Sequence, residues 1–133
     1  MNQDQSSRRR LFLLGVFAFM LAGLLLPGHG AEAHAIIVSS KPAVNAKVPQ
    51  GPFDIVLQYN SRIDIDLSRA SLVDPAGRVL ALKTTSGDTP GSLVAKGNAD
   101  TIGQWKLRWQ VLSTDGHITR GEIPFLVVAK TAP

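Results

Sequence analysis

From residue 34 onward the sequence predicts an all-β chain, an immunoglobulin-like antiparallel β-sandwich with Greek-key connections and no disulfide. Three observations predict it. Apolar residues recur with period two, turn signals fall about every 8–12 residues, and no stretch beyond residue 33 carries an apolar stripe at helical spacing. Short strands of this kind bury one face each, so two sheets must close on a shared core.

The elements follow in order. Residues 35–40 are the first strand candidate. In 53–59, Phe53, Ile55, Leu57 and Tyr59 alternate with Asp54, Val56 and Gln58, the pattern of a half-buried strand. Residues 63–67 and 70–74 read as two further strands. The run Asp74-Pro75-Ala76-Gly77 then supplies a turn into 79–83. After 92–96, Trp105, Leu107, Trp109 and Val111 alternate with Lys106, Arg108 and Gln110. Both tryptophans therefore share a face, and that face is read as core. Residues 122–128 close the list. Pro124 inside that strand has no N–H to give a ladder, so it must stand at an edge or a bulge.

The first 33 residues are of another kind. Arg8-Arg9-Arg10 precedes the apolar run 11–26, a Pro27-Gly28 break and the small-residue triplet Ala31-Glu32-Ala33. This is the order of a secretory signal. Sixteen apolar residues span only about 24 Å as a helix, short of a hydrocarbon core of roughly 30 Å, which favours a cleaved signal over an anchor. Arg9-Arg10-Leu11-Phe12-Leu13 also resembles a twin-arginine signal. The expected organisation is thus an export signal over 1–33 and one domain over 34–133, with a periplasmic destination. Ala33-His34-Ala35 is a second small-residue triplet, so the signal alone allows a cut before His34 or before Ile36.

Composition excludes several classes. Residues 34–133 hold 11 basic and 8 acidic side chains, a net charge of +3, dispersed and not interleaved with aromatics. Nucleic acid is accordingly not an expected partner. There is no cysteine, and both methionines, Met1 and Met20, lie in the signal. The domain therefore has no sulfur donor for a metal.

The chemistry concentrates in Val111-Leu112-Ser113-Thr114-Asp115-Gly116-His117. In extended backbone, residues two apart face the same way, so Asp115 and His117 converge while Gly116 permits a bend. By itself this pair also suits a plain polar turn. The exported domain keeps only two histidines, His34 at its expected terminus and His117 in this loop. A terminal histidine offers its freed α-amine and imidazole Nδ1 to one ion as a six-membered chelate. With Asp115 and His117, the set is three nitrogens and one oxygen. Such donors suit one Cu(II) per chain, whereas Cu(I) prefers sulfur and Zn(II) prefers a tetrahedron. Asp64 and Asp66 are read instead as the solvent face of a strand, alternating with Ile63, Ile65 and Leu67.

The segment HAIIVSSKPAVNAKVPQGPFDIVLQYNSRID, residues 34–64, and the later GQWKLRWQVLSTDGHITRGEIPFLV, residues 103–127, resemble the CopC/PcoC family of periplasmic copper-binding proteins. The resemblance covers essentially the whole exported domain. It implies a mature chain beginning with histidine, a Ser-x-Asp-x-His segment completing a Cu(II) site, and a membrane copper importer or outer-membrane copper protein as delivery partner. The matching residues are His34, Asp115 and His117, and the match favours the cut before His34. Three departures stand out. The mid-chain region 83–100 lacks methionine, so a separate Cu(I) site is not expected; Ser61 stands where many members have glutamate; Ile118 stands where proline often follows the motif.

The function expected is a monomeric, non-enzymatic protein that sequesters or delivers copper. Two alternatives compete with it. A copper-dependent oxidase or monooxygenase needs an open metal position and a substrate surface, and Asp115 would tend to fill that position. A metal-free structural sandwich would make both histidines dispensable.

Overall fold

The computed structural model describes residues 34–131, and the expected signal over 1–33 lies outside the described residues. Among the described residues nine strands form two sheets: β1 (Ile37–Lys41), β2 (Lys47–Pro49), β3 (Gly51–Tyr59), β4 (Ile63–Val73), β5 (Val79–Ala81), β6 (Thr84–Ser86), β7 (Ser92–Ala99), β8 (Gly103–Ser113) and β9 (Ile118–Val128). One sheet has the order β1-β3-β7-β6 and the other β2-β9-β8-β4-β5. The sandwich predicted from periodicity is present. Every ladder is antiparallel except that of β2 with β9.

The core lies between the sheets and is built from the alternating residues the sequence displays. Ile55, Leu57 and Tyr59 of β3 face Trp105, Leu107, Trp109 and Val111 of β8, with Ile123, Phe125 and Val127 of β9 beside them. Tyr59 stands edge-on to Trp109 with ring centroids 5.4 Å apart, and the Trp105 indole N–H donates to the Thr101 carbonyl at 2.8 Å. Gly121 is required here because a Cβ would sit 2.5 Å from Cζ2 of Trp109. Pro124 behaves as its missing N–H demands. Even-numbered residues of β9 turn their backbone groups away from β8, as Leu126 N–H donating to Ala46 shows, and β2 pairs only from Leu126 onward. No ladder asks Pro124 for a proton.

Three expectations are corrected. Residues 63–67 and 70–74 are not two strands but the single β4, interrupted by a bulge where β4 advances from Asp64 to Arg69 while β8 moves only from Leu112 to Gln110. Asp64 holds that bulge, because its Oδ1 accepts the backbone N–H of Asp66 and of Leu67. The Ser68 hydroxyl donates to the Asp64 carbonyl and accepts from Leu112 N–H. The regular alternation expected for 63–67 therefore fails, and Leu67 is 56% exposed. Asp64 is a local latch rather than an idle surface acid. The short strands β2 and β6 escaped the sequence reading because three residues cannot display a period. The turn at Asp74–Gly77 forms as predicted: Gly77 N–H donates to Asp74 O at φ 84°, and the Asp74 carboxylate takes Ala76 N–H, Arg78 N–H and the Arg78 guanidinium.

Candidate metal centre

One end of the sandwich collects the predicted residues. There β8 and β9 join in a tight hairpin, closed by Ser113 N–H donating to His117 O at 2.9 Å and Gly116 N–H donating to Ser113 O at 2.9 Å. Gly116 takes φ 91°, a left-handed conformation that side chains disfavour. Asp115 and His117 thus converge through a turn, not along the extended strand end that spacing suggested. His117 Nδ1 lies 3.2 Å from Asp115 Oδ2.

Ser113 sets this arrangement. Inward parity along β8 buries it to 2% exposure, and its hydroxyl donates to Asp115 Oδ1 at 2.5 Å. That oxygen also accepts His117 N–H at 3.1 Å. The Ser113 hydroxyl first, then the His117 backbone N–H, hold the Asp115 carboxyl down at about 2, against a partial desolvation that opposes them. Asp115 is a fixed anion with Oδ1 occupied and Oδ2 turned to the imidazole.

His34 arrives from the other sheet. Ala35 is fully buried in the core, and Ile36 is clamped to Asn60, its N–H donating to Asn60 Oδ1 at 2.8 Å and its carbonyl accepting Asn60 N–H at 3.0 Å. These contacts leave the exposed His34 beside the hairpin, its ring centroid 5.2 Å from that of His117 with the planes tilted by 43°. The three residues selected from the sequence therefore lie together. Among the described residues no three His, Asp or Glu side chains are drawn closely enough to enclose an ion, so the group is assembled but not closed.

The surroundings are polar. Asp64 lies opposite Leu112 beside the hairpin, and the Arg62 carbonyl accepts Thr114 N–H at 3.3 Å, with Asp66 and Asp88 nearby along the chain from Asp64 and from Pro90. Below, the hydroxyls of Tyr59, Ser61 and Thr119 are buried with no hydrogen-bond partner. Ser113 and Asn60 are the residues whose roles sequence reasoning missed. Strand parity could have marked Ser113 as buried; nothing in the local sequence marks Asn60.

The CopC domain model matches residues 37–128. The chain belongs to the CopC family. Copper resistance protein C of Xanthomonas campestris pv. juglandis is 31% identical over 110 residues, covering 77% of this chain and 86% of that protein. Protein YobA of Escherichia coli K12 is 28% identical over 113 residues, covering 83% and 90%. The sandwich itself superposes on CopC of Methylosinus trichosporium OB3b with a TM-score of 0.66 at 24% identity, over 75% of this chain and 99% of that one. For the Escherichia coli methionine-rich copper resistance protein PcoC the TM-score is 0.58 at 23% identity, over 72% and 100%. Membership of the CopC family, whose relatives include proteins named copper resistance protein C, supports a general copper-handling, non-enzymatic role over the monooxygenase alternative.

Proposed function

We propose that this CopC-family member is an exported copper-handling protein that holds one Cu(II) between His34, Asp115 and His117 and passes it on or keeps it from harm. The observation that carries the reading is the approach of His34, borne by one sheet, to His117, borne by the other. Two imidazoles binding one ion at about 2.0 Å have centroids within roughly 6.5 Å of each other. The 5.2 Å separation lies inside that bound.

The donor set supports copper in its oxidised state. Processing before His34 would free an α-amine to chelate with His34 Nδ1. His117 adds a second imidazole nitrogen, and Asp115 Oδ2 adds an oxygen while Oδ1 stays bonded to Ser113. Nitrogen and oxygen donors without sulfur suit Cu(II), which also heads the divalent affinity order. The carboxylates of Asp64, Asp66 and Asp88 add an attractive field for a cation. Export through the segment before His34, a monomeric state, and handover to a membrane importer or an outer-membrane copper protein complete the proposal.

Mass spectrometry of the exported protein should find His34 as the first residue. Titration should then show one equivalent of Cu(II) bound tightly and Cu(I) bound poorly. His34→Ala and His117→Ala should each weaken Cu(II) binding severely, and Asp115→Ala should weaken it too. A residue left ahead of His34 should mimic loss of a ligand although every side chain remains. If the extended protein binds Cu(II) as tightly and with the same spectrum, the terminal-histidine site is wrong. If both histidines prove dispensable, the metal-free reading stands instead.

A further inference from the structure

The outward face of the five-stranded sheet carries a feature that copper binding does not use. Strand register aligns Arg69 of β4, Gln110 of β8 and Arg120 of β9 in one row across the sheet. The next row is Ser71, Arg108 and Glu122, extended by Ala81 of β5. Small side chains at Ser71 and Ala81 leave a trough of about 580 Å³ walled by the arginines.

The charge in this trough is unbalanced. The rows that wall the trough, together with Lys106, carry four cations and one carboxylate, that of Glu122, while the adjoining row toward the hairpin adds Asp64. Glu122 is taken by Arg108, at 2.7 and 2.9 Å, and by Lys106, at 3.2 Å. Arg120 donates its Nε–H to Gln110 at 2.8 Å. Among the described residues neither Arg69 nor Arg120 forms an ion pair with a carboxylate. Glu122 shows what this face takes up: a carboxylate, one oxygen held by the Arg108 guanidinium and the other by Lys106.

We propose that this trough docks an extended acidic segment of a partner protein, its carboxylates seated on Arg69 and Arg120. Concavity selects the occupant. A trough with small residues along its floor admits an extended chain, whereas a membrane surface calls for a flat or protruding face. Arg69 and Arg120 stand two strand spacings apart, about 9.6 Å at the backbone, and their long side chains can close on carboxylates about 6.8 Å apart on alternate residues of an extended peptide. Position supplies a purpose. Between the Arg69–Gln110–Arg120 row and the hairpin that holds Asp115 and His117 stands one row, Asp64, Leu112 and Ile118. A partner held here by its acidic segment lies beside the metal centre. That purpose rests on the copper reading; the docking itself does not.

The test uses the exported domain and a short, end-capped peptide of alternating glutamate and threonine. Amide and guanidinium NMR signals of Arg69, Gln110 and Arg120 should move on titration, and binding should weaken as salt rises. The double variant Arg69→Glu/Arg120→Glu should lose at least about tenfold in affinity, the scale of one to two charge-assisted hydrogen bonds. Arg69→Gln/Arg120→Gln should lose affinity in the same direction without introducing repulsion, and it guards against misfolding of the first pair. Lys41→Glu/Lys83→Glu makes the same charge change on the opposite sheet, beside a second trough, and should leave binding within about twofold. Shifts confined to other surfaces, or equal losses from both charge-reversed pairs, would overturn the proposal. So would binding to phosphatidylglycerol vesicles with none to the peptide. Cu(II) titration of the arginine variants should match the parent. A parent that binds the peptide but no Cu(II) would remove the metal site and leave the docking face intact.

Discussion

At the scale of single residues, the hairpin's behaviour is set by one buried hydroxyl. Ser113 donates to Asp115, and that bond leads the causes holding the carboxyl near 2 rather than its usual 3.8. Because the folded value is depressed, the carboxylate's contribution to stability is fully present above about pH 4 and is lost as pH falls through about 2. Ser113→Ala should raise the Asp115 pKa toward 3.8 and move the onset of acid-induced change in the hairpin to higher pH. A carboxyl-carbon NMR titration reads this directly; an unmoved pKa would mean that His117, through its backbone N–H and its imidazole, sets it. Gly121 is the other residue whose identity is forced. An added Cβ meets the Trp109 ring at 2.5 and 2.8 Å, and that ring is itself pressed against Tyr59. Gly121→Ala should therefore cost about 1–3 kcal/mol by overpacking. Urea unfolding that finds it within about 0.5 kcal/mol of the parent would show that Trp109 has room to yield.

At the scale of elements, the bulge in β4 is the departure from regular pairing that matters most. It reverses which residues of β4 face outward, so that Arg69 and Ser71 join the outer rows while Ala70 and Leu72 enter the core. Asp64 secures it through two backbone N–H groups. Asp64→Ala should destabilise the domain by about 1 kcal/mol, whereas Asp64→Asn, which keeps the acceptor oxygen, should stay within about 0.5 kcal/mol. Denaturant unfolding of both variants decides the point. Equal stability of the alanine variant and the parent would return Asp64 to the status of a solvated surface acid. The bulge was not legible because Ile63, Asp64, Ile65, Asp66 and Leu67 alternate in sequence as a regular strand does. Only the mismatch with β8 shows that these residues cannot all keep the ladder.

At the scale of the whole molecule, the proposed metal centre would join the two sheets. His34 follows the path of β1 in the four-stranded sheet, while Asp115 and His117 belong to the hairpin of the five-stranded one. An ion bound by both ties one end of the sandwich across its open edge. Saturating Cu(II), at about a hundred times its dissociation constant, should add about 2.7 kcal/mol to stability and raise the melting temperature by roughly 10 °C or more. Hydrogen exchange should slow together at Ile36, at Asn60 and through the hairpin. Calorimetry and exchange on parent and His34→Ala should differ in both respects. Protection confined to the hairpin would mean that copper engages one sheet only.

The sandwich class was readable from sequence because burial of one face writes a period of two into every long strand, and β3, β8 and β9 are long enough to display it. The candidate ligands were readable for a chemical reason: with no sulfur available, two histidines and a neighbouring carboxylate are conspicuous. Proximity is another matter. His34 and His117 lie at opposite ends of the domain's sequence, and their approach depends on Ala35 filling a core site and on Asn60 clamping Ile36, contacts that no local pattern encodes. The same holds for the arginine row, since Arg69, Gln110 and Arg120 align only through the register of three strands and the bulge that shifts one of them. Local sequence carries the periodicity of each strand, but register and bulge are settled by many weak contacts between strands distant along the chain, and those exist only once the sheets have closed on their core.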